Sequence, residues 1–185
     1  MKIARIASVL AALALTVPAA ARADHHNEPP KPAPELDKHM KALEGSWKCD
    51  GKMEAGAMGP GSPAMDYKSS IKFKKTHGGF WYAGDYEIKK SKAMPGMKVM
   101  FHVGWDPTAN RLTGLGVDTT GGWRTDHSNG WEGDKMVVEF EGVMMGQKMT
   151  GRETITKKGD KAFETVVEMK MGADFKKVGT DSCKR

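Results

Sequence analysis

Phe80-Trp-Tyr-Ala-Gly-Asp-Tyr-Glu-Ile-Lys89 decides the fold class. Phe80, Tyr82, Gly84, Tyr86 and Ile88 share one parity, and Trp81, Asp85, Glu87 and Lys89 share the other. That is the period-two pattern of a strand with one buried and one wet face. Gly78-Gly79 before it supplies the positive φ that a tight reversal needs. Outward in both directions the alternation recurs between turn signals. Strands are expected at Ser46–Ala55, Met65–Lys75, Phe80–Lys89, Lys98–Trp105, Arg111–Asp118, Gly122–Asn129, Lys135–Val143, Lys148–Lys157, Lys161–Met171 and Phe175–Ser182. The breaks at Asp106-Pro107, Gly121-Gly122, Gly133-Asp134, Gly159-Asp160 and Gly172-Ala173-Asp174 suit hairpins. About ten short strands joined this way form an antiparallel meander, which removes its exposed edges by closing into an up-and-down barrel. Val99, Phe101, Val103 and Trp105 are expected inside, with Lys98, Met100 and His102 outside.

Upstream, Pro34 to Leu43 reads as a short helix with Leu36, Met40 and Leu43 on one face and Gly45 as its stop. Asp24 to Glu35 holds His25, His26 and four prolines, the composition of a disordered leader. Met1 to Ala23 has the order of a cleavable secretory signal: basic Lys2 and Arg5, an uncharged run from Ile6 to Ala21, and the small-x-small site Ala21-Arg22-Ala23. A membrane anchor needs about 20 strongly apolar residues, whereas this run is Ala-rich and interrupted by Pro18. The domain expected to remain is a single barrel over residues 36–185, periplasmic or secreted.

The formal net charge of +6 falls to +3 once Lys2, Arg5 and Arg22 leave with the signal. That is an ordinary surface, with no basic footprint for nucleic acid. Membrane insertion as an outer-membrane barrel is also not expected, because a lipid-facing band cannot carry this density of Lys and Glu. Cys49 and Cys183 sit near opposite ends of the domain, and in an oxidising compartment a disulfide is the economical pairing; a thiol pair for metal or redox work would normally be spaced Cys-x-x-Cys.

Leu43-Glu-Gly-Ser-Trp47, Gly78-Gly-Phe-Trp-Tyr82, Gly104-Trp-Asp-Pro107 and Thr150-Gly-Arg152 together resemble the bacterial family called domain of unknown function 1579, from Leu36 onward. The resemblance implies a calycin-like (lipocalin-like) antiparallel barrel and no particular chemistry. The related haem-binding barrel nitrobindin opens with a similar Leu-x-Gly-x-Trp element but holds haem with a late histidine, and no histidine follows His127 here.

No catalytic signature is present: no nucleophile elbow, no His-Glu-x-x-His, no phosphate-binding glycine loop. A non-enzymatic protein is expected, with Asp85, His102, Asp118 and His127 the titratable groups that a fold would have to gather to say otherwise. Cleavage after Ala23 would expose Asp24-His25-His26, whose free amine, two backbone amides and imidazole suit square-planar Cu(II) or Ni(II). Fourteen methionines admit two readings, soft Cu(I) ligands or adaptable core filling. Tyr82, Tyr86, Phe101, Trp105 and Trp123, with Arg152 as interior cation, either line a lumen for a small apolar or acidic ligand or simply fill it. Trp47 reads as a plug near the closed end, and the Gly/Pro loop from Ala55 to Ala64 as a lid or a solvated link. Oligomeric state leaves no mark on the sequence.

Overall fold

Alternation turns into a wall. In the computed structural model, which describes residues 29–92 and 94–185, the strands are β1 (Gly45–Met53), β2 (Met65–Thr76), β3 (Trp81–Ile88), β4 (Met97–Asp106), β5 (Arg111–Asp118), β6 (Trp123–Ser128), β7 (Trp131–Glu132), β8 (Lys135–Met144), β9 (Gln147–Lys157), β10 (Ala162–Met171) and β11 (Asp174–Lys184). The hydrogen-bonded order runs β6-β5-β4-β3-β2-β1-β11-β10-β9-β8, every neighbour antiparallel, and β6 pairs with β8 to close the ring. Ten strands therefore make a closed up-and-down barrel. The two-residue β7 pairs only with β8 and is an addition to the expected set. Closure leaves no long free edge. The register of β10 on β11 slips once, between Val167 and Glu168, a bulge that bends the wall.

The helix forms where it was expected, as α1 (Pro34–Met40) followed by a 3-10 turn (Lys41–Leu43). Pro34 starts it, Glu35 and Asp37 sit in its first turn, and Lys38 in its last, all favourable to the helix dipole. Leu36, Met40 and Leu43 point into the barrel end and pack with Trp47, Tyr82, Leu112, Met136, Ile155 and Phe163. Each such side chain contributes about 1.5–3 kcal/mol by leaving water. Trp47 is the expected plug: its Nε1 donates to the Leu43 carbonyl at 2.8 Å, its ring meets Phe163 edge-on at 4.7 Å, and Arg185 lies over its other face at 4.2 Å. The Cys49–Cys183 disulfide is formed and ties β1 to β11 at this end.

Phe80 departs from its expected inward placement. It belongs to the turn before β3 and is exposed, because the strand proper starts at Trp81. The remaining inward set of β3 and β4 holds: Tyr82, Gly84 and Ile88 are buried, Val99, Phe101 and Val103 face the lumen, and Trp105 packs on the core beneath α1.

Candidate functional site

Three inward glycines shape the interior. A Cβ on Gly51, Gly84 or Gly151 would fall 2.2, 2.1 or 2.3 Å from the rings of Tyr67, Phe101 and Phe140, each the cross-strand partner of its glycine. The aromatic rings thus lie flat over bare backbone, against the wall instead of across the centre. Phe101 extends over Gly84 to meet Phe73 edge-on at 5.4 Å. With large side chains pressed outward, a cavity of about 330 Å³ remains, within the range of small-molecule sites.

The cavity walls are mainly apolar, built from residues such as Ile71, Phe73, Val99, Phe101, Val138 and Phe140. Met53, Met58, Met97, Met144, Met149 and Met169 line it as well, most of them near the strand ends away from α1. Ala57 and Met58 bring the β1–β2 loop to the lining, held by Gly56 N donating to the Ser62 carbonyl at 2.8 Å and Met58 N to Ser62 Oγ at 3.2 Å. The loop from Ala55 to Ala64 is therefore folded on itself and contributes Ala57 and Met58 to the lining.

Two polar clusters interrupt the apolar lining. In the first, Asp181 accepts from the Tyr67 hydroxyl at 3.0 Å, the Ser69 hydroxyl at 3.2 Å and the Tyr86 hydroxyl at 3.4 Å. Burial pushes the Asp181 carboxyl up and these hydroxyl bonds oppose it; burial likewise raises both tyrosines. In the second, Arg124 places Nη1 2.6 Å from Glu153 and Nε 3.0 Å from Asp126, with its guanidinium 4.7 Å above the Phe140 ring. Burial pushes Asp126 up to about 6 despite the adjacent cation. The two acids hold Arg124 charged, its pKa raised against the effect of burial.

The interior cation is thus Arg124, and Arg152 is a correction. Arg152 points outward, bonds Glu168 through Nε at 2.6 Å and Nη2 at 3.1 Å, and covers the Phe175 ring. The signal was available: parity counted back from buried Ile155 puts Glu153 inside and Arg152 outside, and the same count puts Arg124, Asp126 and Ser128 inside β6. Of the other expected lining residues, Tyr86 and Phe101 border the cavity. Tyr82 and Trp105 do not. Tyr82 is fully buried beneath the helix with its hydroxyl donating to Asp37 at 3.0 Å, and Trp105 stacks on His39 at 6.1 Å. Trp123 borders the cavity but is 47% exposed, since it sits on the face opposite Arg124. It joins Met100 and Val117, paired in register across β4, β5 and β6, in an exposed apolar row.

Asp85, His102, Asp118 and His127 do not gather. Asp85 is exposed on the outer wall, His102 meets His77 edge-on at 5.7 Å, Asp118 caps its own turn through Thr120 and Gly122, and His127 pairs with Glu139 at 2.9 Å. Among the described residues no cluster of three or more His, Cys, Asp or Glu is arranged to hold a metal ion. Asp24, His25 and His26, like the expected signal, lie outside the described residues. No described helix is long and apolar enough to cross a membrane.

A closed ten-stranded up-and-down barrel, capped by a helix at one end and hollow within, is a calycin-like barrel. Among solved structures the chain is similar to the crystal structure of Rv2717c from M. tuberculosis, with a TM-score of 0.65 and 13% identity over 84% of this chain and 99% of that one. At that identity the likeness establishes the fold. No protein-family model matches the chain, and no curated protein does.

Proposed function

We propose that this is an exported, non-enzymatic barrel of the domain of unknown function 1579 family that carries a small hydrophobic molecule in its lumen. One observation carries the reading: the inward aromatic rings lie over glycines and leave a largely apolar cavity of about 330 Å³ where a purely structural barrel would be filled. Export is supported by the Cys49–Cys183 disulfide, a bond that persists in oxidising compartments, and by the signal-like order of Met1 to Ala23. Native mass spectrometry of protein purified from its own host tests the carrier reading. A stoichiometric adduct released by organic solvent is the expected result; empty protein that also takes up no apolar compound overturns it.

A second reading rests on the methionines that share the cavity lining, among them Met53, Met97 and Met149, because thioethers are soft Cu(I) ligands. Together with Asp24, His25 and His26 at a processed N-terminus they would make a copper-handling protein. Titration of the cleaved chain with Cu(II), beside His26→Ala, tests the terminal site. Affinity that falls in the variant supports it, and equal affinity overturns it.

A further inference from the structure

The charges inside the barrel are unbalanced in one direction. Asp118, Arg124, Asp126, His127, Glu153 and Asp181 are the acidic and basic side chains on the cavity lining, with no lysine among them, and His127 is paired with Glu139 at 2.9 Å. Asp118 is satisfied by its own turn, accepting from Thr120 N at 2.7 Å and Gly122 N at 3.0 Å. Arg124 is shared by Glu153 and Asp126, one positive charge against two negative ones. Asp181 faces hydroxyls only: Tyr67, Ser69 and Tyr86 donate to it, and among the described residues no Lys, Arg or His forms an ion pair with it. The electrostatic neighbour it does sense is the carboxylate of Glu153, which opposes its ionisation.

A buried carboxylate without a counter-charge is costly, and an ionised carboxylate only accepts hydrogen bonds. Three neutral donors reduce that cost but bring no positive charge. The residue is only 8% exposed, and what it does expose faces the lumen. Its position is built: Gly51 stands between Tyr67 and Asp181 in the cross-strand register, and its missing side chain lets the Tyr67 ring cross β1 to reach the acid on β11. The arrangement is directed at the lumen that Tyr67, Tyr86 and Asp181 all line.

We infer that the cavity selects a small amphiphile with a protonated amine, its ammonium against Asp181 between the Tyr67 and Tyr86 hydroxyls and its apolar body along Val99 and Phe101. This rests on the carrier reading and names the ligand's head group. It reverses the expectation of an acidic ligand: Arg124, the one guanidinium on the cavity lining among the described residues, is already engaged by two carboxylates, and an incoming acid would meet uncompensated negative charge. An ammonium presents three donors to a carboxylate that has no cation paired with it among the described residues.

Calorimetric titration of the purified protein at pH 7 with decylamine, decanol and decanoate tests the inference, because the three share a chain and differ only in the head. Decylamine is expected to bind at least tenfold tighter than decanol, with decanoate weakest. Asp181→Asn keeps the shape and an acceptor oxygen, and is expected to lower decylamine affinity at least tenfold while leaving decanol within about twofold. The three-probe comparison on the unaltered protein needs no variant to fold. Decanoate binding as tightly as decylamine, or decanol matching it, overturns the amine inference and leaves the carrier reading standing. Uptake of none of the three overturns both.

Discussion

The Tyr67 hydroxyl reaches Asp181 Oδ2 at 3.0 Å by lying directly over Gly51, whose Cβ position falls 2.2 Å from the tyrosine ring. The hydrogen bond exists because the residue between the two partners has no side chain. Gly51→Ala forces the ring aside and strips Asp181 of a donor, so a loss of about 1–3 kcal/mol is expected from overpacking alone. Tyr67→Phe keeps the ring and removes the donor, at about 1–2 kcal/mol. Urea unfolding of both variants checks this, and an unchanged midpoint for Gly51→Ala would show that the ring has room to move.

Arg124 and Arg152 both face carboxylates, and their costs should differ. Replacing Arg124 by Met leaves Glu153 and Asp126 buried without their cation, an arrangement that costs about 3–5 kcal/mol. Arg152→Ala breaks a half-exposed pair with Glu168 on the outer wall, worth about 1 kcal/mol or less. Equal destabilisation in guanidinium unfolding would contradict the assignment of Arg124 as the interior cation.

Asp126 gives the fold a pH signature. Burial lifts its folded pKa to about 6, above the ordinary carboxylate range, so the folded state holds its proton longer than the unfolded chain does. The stabilisation is full below the unfolded pKa and is lost as pH rises through about 6. Asp126→Asn stays neutral throughout and lacks that slope. The Tm difference, wild type minus variant, should therefore fall between pH 4 and pH 6.5; Asp181, shifted the same way, cancels in the difference. A difference flat in pH would sink the claim.

His39 accepts from Trp131 N at Nδ1, 3.2 Å, and its carbonyl accepts from Trp131 Nε1 at 2.6 Å, so β7 is pinned to the plug helix by both ends of one residue. Accepting at Nδ1 requires the neutral ring, in keeping with burial lowering its pKa. Stability from this group is present above the ordinary histidine pKa and lost as pH falls through the lowered one. His39→Ala should cost about 1–3 kcal/mol at pH 7 and less at pH 5, read from unfolding curves at both.

The Cys49–Cys183 bridge closes a loop with a sequence separation of 134, for which the chain-entropy model gives about 5 kcal/mol as an upper figure. Cys49→Ala with Cys183→Ala should lose a large part of that in chemical unfolding. A double variant as stable as the wild type would place the stability elsewhere, in the β1–β11 ladder.

Most of the wall was legible because period-two alternation and turn residues are local signals, and β5 matches its expected span, Arg111–Asp118, at both ends. β7 was not, because two residues carry no period; it exists through His39, far away in sequence. Aromatic type also misled. Tyr82 and Trp105 have the inward parity of Tyr86 and Phe101, but they lie at the level where α1 fills the barrel, and height along a strand is set by tertiary packing that parity does not encode. Arg152 was a parity error of one residue, and the cavity itself depended on pairing glycines with aromatic residues on neighbouring strands, which only register reveals.

The most direct test of the carrier claim is calorimetric titration of decanol into the wild type and into Val99→Phe, whose larger side chain occupies the lumen. Saturable one-site binding with a negative heat-capacity change, weakened at least tenfold in the variant, is the predicted result. Absence of saturation in the wild type by decanol and by decylamine alike, or equal binding by both proteins through the outer row of Met100, Val117 and Trp123, would contradict it.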